Sequence, residues 1–480
     1  MKTKVIFLNV LKVAFSNICS ILAGIIVGFI IPMIIDKGNY GYYKMFTLYY
    51  GFVGLFHFGF IDGILLKYGG KRFEDLDKER FRLYFRFISF VEIVITLIVL
   101  LLSLIGLGTD YFFIFAAVAI SVFGTNITTF YQYISQATGR FNEISSRTIV
   151  RSVLTIIPII ALFALAKWGN VGDSLNHYVI FVLISIAIIY VIFFWYVYTY
   201  RSISFGKALS FKENKKEIFE LFKIGFPLLI GNLICTYILE MDRLFVSNLF
   251  ATEIYADYAF AYQMINLFTT ALGAVSTVLY PSLKQEETLE SAKVNYDKLC
   301  AGMMILASFC LCAYYIFFWL IEWILPQYIA SFKYFQVVFP ILVLQAPITL
   351  IMSNYYKTFN MVKTYSIVNG IILVFSAIAN SIGYFIYKDP ISISIASVVV
   401  IIVWYCLNDF ILSRHFKSKF IRRLIYIILV LSIFYLMILI QSNLISFFVY
   451  LCLVSVLTIF MYFPECKVLC LKIKSKIIRK

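Results

Sequence analysis

The chain has 480 residues, of which 62% are hydrophobic and only 14% are charged, and its mean hydropathy is +0.92. Soluble globular proteins carry about 25% charged residues, so this composition excludes a soluble globular protein. The net charge of +16 would suit a nucleic-acid partner, but the basic residues are concentrated in nearly every second loop between apolar stretches. That distribution is typical of a membrane protein, and no nucleic-acid partner is expected.

Fourteen apolar stretches are each long enough to cross a bilayer, since a spanning helix needs about 20 mostly apolar residues. The sequence therefore predicts an all-α polytopic membrane protein with about 14 transmembrane helices. The predicted spans are 10–35, 42–66, 84–107, 111–137, 149–167, 177–200, 221–249, 256–283, 299–325, 334–356, 365–387, 391–413, 424–441 and 444–463. Only Gln441-Ser442-Asn443 separates the last two spans, and we interpret this polar break as a tight hairpin.

Lysine and arginine divide unequally between the two sides of this predicted topology. Of the 41 basic residues, 35 fall on one side and 6 on the other. The six are Lys37, Lys44, Lys167, Arg243, Lys333 and Lys388. Because basic loops stay in the cytoplasm, we predict a multi-pass protein of the bacterial cytoplasmic membrane with both termini cytoplasmic. The first span is too long for the apolar region of a signal peptide and is expected to remain as a helix.

The chain repeats one of its motifs. Tyr40-Gly41-Tyr42-Tyr43 leads into the second span, and Tyr255-Ala256-Asp257-Tyr258 leads into the eighth. An even number of helices per repeat inserts both repeats in the same orientation, and substrate sites of such parallel repeats lie between them. We therefore predict two parallel six-helix repeats around a central cavity, plus two C-terminal helices. The predicted domains are an N-terminal bundle (1–200), a cytoplasmic connector (201–220), a C-terminal bundle (221–415) and two extra helices with a basic cytoplasmic tail (416–480).

Four further motifs occupy defined places in this topology. Residues 58–68 end the second span, 139–142 form the turn after the fourth, 225–227 open the seventh and 280–283 end the eighth. Over residues 5 to about 415, this pattern resembles the polysaccharide repeat-unit flippases of the multidrug/oligosaccharidyl-lipid/polysaccharide exporter superfamily. Glycines and prolines of these motifs are candidates for hinges or helix starts. They are Gly41, Gly59, Gly225, Pro227 and Pro281.

The resemblance implies translocation of undecaprenyl-diphosphate-linked oligosaccharide repeat units, as for O-antigen or capsule, by alternating access of two bundles. It implies a transporter without bond-making chemistry. Its partners would be the lipid-linked oligosaccharide, membrane lipids, and the polysaccharide polymerase and glycosyltransferases of the same pathway. The chain has no GxxxxGK[ST] phosphate loop, so we expect no cofactor and an energy source in a H⁺ or Na⁺ gradient or in downstream consumption of the flipped lipid. The nine cysteines contain no CxxC pair and predict no metal site.

A carrier of diphosphate needs cationic groups, and arginine suits this task because its planar fork meets phosphate oxygens bidentately. Arg82 and Arg86 lie one helical turn apart at the start of the third span, and Arg147 and Arg151 do the same at the start of the fifth. We predict Arg86, Arg147 and Arg151 on the substrate path, with the deeper Arg86 and Arg151 forming a cytoplasmic mouth. The alternative is that these residues are anchors whose side chains extend to lipid headgroups, the role expected for Arg423.

Charged or titratable groups inside spans are costly and indicate either function or pairing. Asp62 and Glu92 are predicted to pair with the deep arginines in a cytoplasmic gate, or to form permanent ion pairs. Glu240 and Arg243 share a helix face near the outer end of the seventh span. This arrangement would suit an outer gate, with Arg243 on the substrate path, or a carboxylate that couples transport to a cation. The alternative is a static ion pair. The candidates for gating or ion coupling are Asp62, Glu92, Glu240, Asp242 and His57, and a structural role is the alternative for His57.

Two other functions remain open. A multidrug-type cation antiporter on the same scaffold would place carboxylates in the cavity of the first half, whereas this sequence places arginines at its expected mouth. A membrane-embedded polysaccharide polymerase or glycosyltransferase would need a sizeable external loop with catalytic residues, and no such loop is present.

Overall fold

The computed structural model describes residues 2–169, 175–283, 289–359, 361–440 and 444–478. Side chains are described in these ranges except at 2–11, 14, 274–294, 362, 444 and 464–478. All regular secondary structure in the described ranges is helical. The chain forms two compact units, Met1–Ala259 and Phe260–Lys480.

The first unit contains the helices from the N-terminus to the start of the predicted eighth span. They are α1 (Lys2–Ile34), α2 (Lys37–Tyr50), α3 (Phe60–Tyr68), α4 (Lys78–Ser103), α5 (Asp110–Ala137), α6 (Phe141–Trp168), α7 (Tyr178–Thr199), α8 (Arg201–Ser204), α9 (Phe211–Leu249) and α10 (Thr252–Leu283), which continues past the boundary of the unit. A 3₁₀ turn over Val53–His57 stands between α2 and α3.

The second unit contains the remaining helices and includes one irregular span. Its helices are α11 (Leu289–Cys310), α12 (Ala313–Ile324), α13 (Phe332–Val338), α14 (Leu342–Pro347), α15 (Ser353–Thr358), α16 (Val362–Ile386), α17 (Pro390–Phe416), α18 (Phe420–Ile440) and α19 (Leu444–Ile478). The irregular span is the run from α13 to α15, which a 3₁₀ turn and a π-helical segment interrupt.

Every predicted span coincides with a helix or with a run of consecutive helices. Within the described residues, 12 helices are long and apolar enough to cross a membrane, and the bent pair of α2 and α3 makes a thirteenth. The remaining predicted span, 256–283, is helical as α10, although its side chains beyond 273 lie outside the described set. The protein is therefore an all-α, multi-pass membrane protein.

Two predicted features fall outside the described part of the chain, and one stays a prediction. Gln441-Ser442-Asn443, the expected hairpin, is outside the described residues, and so is the side chain of Pro281. The division into repeats at 201–220 stays a prediction, because it was defined by sequence repetition. In the structure, that connector contains α8, an irregular stretch and the first turns of α9.

Loop aspartates fix where several helices begin. Asp36 accepts a hydrogen bond from the Asn39 amide at the start of α2, and Asp389 accepts one from the Ile391 amide at the start of α17. Such side chains satisfy amide groups that have no partner within the helix. Partial burial raises the pKa of Asp36, but hydrogen bonds from Asn39 outweigh this effect, and the pKa lies below its ordinary value.

Helices α3 and α9 approach each other so closely that three glycines are required. A Cβ atom on Gly225 would lie 1.9 Å from the carbonyl oxygen of Gly59, and one on Gly63 would lie 2.1 Å from the carbonyl oxygen of Leu221. Gly59 also has φ +83°, a left-handed conformation that favours glycine. Two motifs that are far apart in the sequence therefore meet at one helix crossing.

The two copies of the repeated motif differ at one position, glycine in the first and alanine in the second, for a steric reason. A Cβ atom on Gly41 would lie 2.4 Å from the carbonyl oxygen of Thr252, so only glycine fits at this point of α2. Its counterpart Ala256 is fully buried in α10. The second span breaks between α2 and α3 with a bend of 61°, whereas the backbone of α10 is helical throughout.

Candidate functional site

Arg151 lies at a cavity inside the first unit. The cavity measures about 200 Å³ and is lined by residues of α1, α2, α6 and α7. Arg151, Thr155 and Ile159 face it from one side of α6, because residues four apart share a helix face. Besides Thr155, its aromatic and hydroxyl-bearing lining residues belong to α2 and α7 and are Tyr43, Phe46, Thr47, Tyr50, Phe181 and Ser185.

The guanidinium of Arg151 is available for an anionic ligand. Among the described residues, no hydrogen bond or ion pair to this side chain is found, and the side chain is exposed. The remaining polar groups of the cavity lining are hydroxyls, which donate to and accept from phosphate or sugar oxygens. The cavity therefore combines one free cation with tyrosine, threonine and serine side chains.

Arg147, one turn earlier on α6, is held by its neighbours and is buried. Its guanidinium donates to the Glu143 carboxylate and to the Thr199 hydroxyl. It also stacks over the rings of Trp195 and Tyr196, at 4.6 and 4.1 Å from their centroids. These contacts tie α6 to α7 and leave Arg147 outside the lining of the Arg151 cavity.

Arg82 and Arg86 bind the connector that follows α7. Arg82 donates to the carbonyl oxygens of Ser202 and Lys207 at 2.9 and 3.0 Å, and Arg86 donates to that of Gly206 at 2.7 Å. Arg86 does not line the cavity at Arg151. Arg86 and Arg151 therefore do not form a common cytoplasmic mouth in this structure. A role of Arg86 on the substrate path stays a prediction.

Asp62 and His57 lie at the break of the second span. Both are buried, and the His57 Nδ1 atom is 3.6 Å from an Asp62 carboxylate oxygen. The same nitrogen accepts a hydrogen bond from the Gly59 amide at 3.2 Å. Neither Asp62 nor Glu92 contacts Arg86 or Arg151 among the described residues, so the expected pairing between these carboxylates and the deep arginines is not formed.

Glu92 is fully buried on α4 and bonds to an amide instead of an arginine. The Asn126 side chain donates to Glu92 at 2.8 Å and to the carbonyl oxygen of Val53 at 3.2 Å. Sequence reasoning missed Asn126, because an asparagine in an apolar span gives no sign of which helix it faces. Glu92, Asn126 and the 3₁₀ turn at Val53 form one buried polar cluster.

A second group of charges lies near the start of α2 and the end of α9. Arg243 pairs with Glu240 at 2.9 Å, as their spacing on one face allows, and Tyr258 donates to Asp242 at 2.8 Å. Lys37 of α2 pairs with Asp257 of α10 at 2.8 Å. The structure thus gathers three predicted residues, Arg243, Glu240 and Asp242, and their role in gating or ion coupling stays a prediction.

An ionic cluster beside the glycine crossing was not predicted. Lys67 at the end of α3 pairs with Glu217 and Glu220 of α9, each at 3.0 Å, and Arg80 pairs with Glu217 at 3.3 Å. The sequence shows these residues only as charges in connectors. Their spatial meeting follows from the close approach of α3 and α9, which a linear pattern does not reveal.

A buried ion cluster in the second unit corrects the expectation for Arg423. This arginine is 2% exposed and donates bidentately to Asp409 at 2.7 and 2.9 Å. It also pairs with Asp297, and Tyr296 and Tyr405 donate to Asp409. Arg423 is therefore not a surface anchor. Asp409 lies inside a predicted span, and the cost of a charge there was the signal that could have revealed the cluster.

A larger cavity in the first unit has a different character. It measures about 970 Å³ and is lined by side chains of α2, α4, α5 and α9, among them Phe52, Phe58, Ile98, Leu102 and Tyr237. None of its lining residues is charged. Of these two cavities, only the smaller one at Arg151 offers a group that binds an anion.

Comparison with known proteins agrees with the resemblance inferred from the motifs. A model of the family described as "Polysaccharide biosynthesis protein" matches residues 6–287. A solved structure of the lipid II flippase MurJ, in an inward closed conformation, aligns with a TM-score of 0.68 over 97% of this chain and 99% of its own, at 14% identity. A crystal structure of MATE in complex with Br-NRF aligns with a TM-score of 0.40 over 85% of this chain and 94% of its own, at 13% identity.

No curated protein matches the sequence closely enough to count as a relative. At 14% identity, the likeness to MurJ shows the fold alone. The family model, in contrast, covers more than half of the chain. The predicted membership of the exporter superfamily is confirmed: the chain belongs to the polysaccharide biosynthesis protein family and has the fold of a membrane flippase.

Proposed function

We propose that the chain is a flippase for undecaprenyl-diphosphate-linked oligosaccharide repeat units of a surface polysaccharide, such as O-antigen or capsule. It moves them across the bacterial cytoplasmic membrane by alternating access of two helical bundles and makes or breaks no covalent bond. Its substrate reaches it from membrane-bound glycosyltransferases and is consumed by a polymerase. The family and the fold support a transporter of lipid-linked material in general.

The observation that carries the proposal is the guanidinium of Arg151, which lies at a cavity between helices of the first unit. Because this side chain has no partner among the described residues, it can bind an anion that a ligand supplies. A diphosphate offers two adjacent groups of oxygens that suit the planar fork of arginine. Hydroxyls of the same lining suit a glycan, while the prenyl tail remains in the lipid.

The same cavity argues against a multidrug-type cation antiporter. Such a carrier needs anionic groups where its cationic cargo binds. The cavity at Arg151 is lined by a cation and hydroxyls, with no carboxylate in its lining. A cationic drug would therefore be repelled where an anionic lipid would be attracted.

Deleting the gene tests the proposal in cells. We expect lipid-linked repeat units to accumulate in the cytoplasmic leaflet while surface polysaccharide disappears. Complementation with the wild-type chain should restore surface polysaccharide and clear the accumulated lipid. Normal surface polysaccharide in the deletion strain, with no second transporter of this family in the genome, would contradict the flippase function.

A further inference from the structure

Glu92 occupies a place in the fold where a negative charge has no compensation. The residue is 0% exposed and lies in the middle of α4, a membrane-spanning helix. Among the described residues, no lysine, arginine or histidine forms an ion pair with it. An ionised carboxylate buried without a cation is strongly disfavoured, so the side chain is stable there only after it binds a cation.

The partner of Glu92 is held in one orientation. The Asn126 amide nitrogen donates to Glu92 Oε2 at 2.8 Å and to the Val53 carbonyl oxygen at 3.2 Å. Because both neighbours are acceptors, the nitrogen must face them and the Asn126 oxygen must face the other way. That oxygen, Oδ1, is buried and has no hydrogen-bond donor.

Unpaired acceptors accumulate around this pair. The second carboxylate oxygen of Glu92 is also buried without a donor, and so are the hydroxyls of Ser89 and Thr96 on the same face of α4. Glu92 and Asn126, which share one hydrogen bond, therefore each have a further buried acceptor oxygen without a hydrogen-bond donor. A proton on Glu92 Oε1 would remove the uncompensated charge and turn this buried acceptor into a donor.

The other titratable groups on the elements around Glu92 do not provide this cation. The 3₁₀ turn carries His57, which faces Asp62 at 3.6 Å. On α4 itself, Arg86 is bound to the Gly206 carbonyl oxygen. From α5, Tyr131 bonds to Ser204 and Tyr133 packs against the aromatic core.

We propose that Glu92 is the site at which a proton binds and is released during the transport cycle, an inference that rests on the proposed flippase function. The proton adds to the carboxylate from one side of the membrane and leaves to the other, so that only the proton moves and no covalent bond of the lipid changes. This assigns the coupling ion to a site in the first unit, separate from the Arg151 cavity.

Asn126 links this site to the break of the second span. The Val53 carbonyl oxygen that it binds belongs to the 3₁₀ turn between α2 and α3, which are bent by 61°. Phe58 and Gly59, at the end of that turn, have φ +47° and +83°. A change in the Glu92–Asn126 hydrogen bond therefore acts on the segment where the span changes direction.

Infrared difference spectroscopy on the purified chain in liposomes tests proton binding without any transport measurement. We expect the C=O band of a protonated, buried carboxylic acid at neutral pH, its loss in Glu92→Gln, and its retention in Glu79→Gln, a control at the first turn of the same helix. An unchanged band in Glu92→Gln overturns the proposal. A carboxylate that responds to sodium and not to pH also overturns it.

Transport in proteoliposomes then tests coupling. The wild-type chain should move lipid-linked oligosaccharide faster when a pH gradient is imposed, by about tenfold for a barrier lowered by about 1.4 kcal/mol. Glu92→Gln should still move it but with no response to the gradient, while Glu79→Gln should respond like the wild type. Gradient-dependent transport in Glu92→Gln would contradict the assignment. If the wild type moves no lipid at all, the flippase function fails, and the infrared result still decides whether Glu92 binds a proton.

Discussion

At the residue scale, two arginines at similar positions in their predicted spans have different surroundings in the structure. Arg151 and Arg423 both lie near the predicted cytoplasmic ends of spans. Arg423 is buried against Asp409 and Asp297, whereas Arg151 has no partner among the described residues and faces a cavity. Depth in a span is the sequence feature that singles out Arg151. It could not identify Arg423, because burial depends on the helices that surround a residue.

Replacing Arg423 should damage the folded protein. Arg423→Ala leaves two carboxylates without their cation, and removing one partner of a buried ion pair costs about 3–5 kcal/mol. We expect a lower melting temperature and less monodisperse protein by size-exclusion chromatography in detergent. Arg414→Ala is the matched control, because Arg414 is an exposed arginine near the end of α17. Equal thermal stability of both variants would show that the cluster contributes nothing to stability.

Replacing Arg151 should impair transport and leave the fold intact. A hydrogen bond to a charged group contributes about 1.5–3 kcal/mol, which corresponds to a loss of roughly tenfold or more in surface polysaccharide formation for Arg151→Ala. Arg151→Lys keeps the charge but loses the fork, so its effect should be smaller. Surface polysaccharide measured at matched protein levels gives the answer. Arg414→Ala should behave as wild type, and a normal level in Arg151→Ala would remove Arg151 from the substrate path.

At the scale of helices, the sequence reveals the spans better than their contacts. Apolar length is a local property, and each predicted span has its helix. The 3₁₀ turn inside the second span was not predicted, because the length of a mostly apolar stretch does not show where its helix breaks. The meeting of Gly59, Gly63 and Gly225 was also missed, since three glycines in two distant segments do not indicate that they touch.

The glycine crossing gives a prediction about stability. Gly225→Ala places a methyl group 1.9 Å from a backbone oxygen, so α3 and α9 must move apart. We expect a loss of about 1–3 kcal/mol, as for other overpacked sites. The fraction of protein that remains monodisperse after heating measures it. Gly302→Ala on α11 is the control, because its added methyl group meets no atom within 4 Å. If both variants resist heating equally, the close contact is not required for stability.

At the scale of the whole molecule, charge distribution predicts an orientation that can be checked directly. With 35 of 41 basic residues on one side, both termini and the 201–220 connector should be cytoplasmic. Reporter proteins fused within the connector or after the last residue should be active only as cytoplasmic reporters. A fusion at Lys388, between α16 and α17, should report the opposite side. Reversed activities would require the assignment of the cytoplasmic side to be inverted.

The central claim is that this chain moves a polyprenyl-diphosphate-linked oligosaccharide from one leaflet to the other. The most direct measurement follows a glycan-labelled lipid of this class in liposomes that contain the purified chain. A membrane-impermeant reagent that modifies the label reports the leaflet in which the glycan lies. The wild type should move the lipid faster than protein-free liposomes, and Arg151→Ala should be slower by about tenfold or more. Equal rates with and without the wild-type chain would contradict the account.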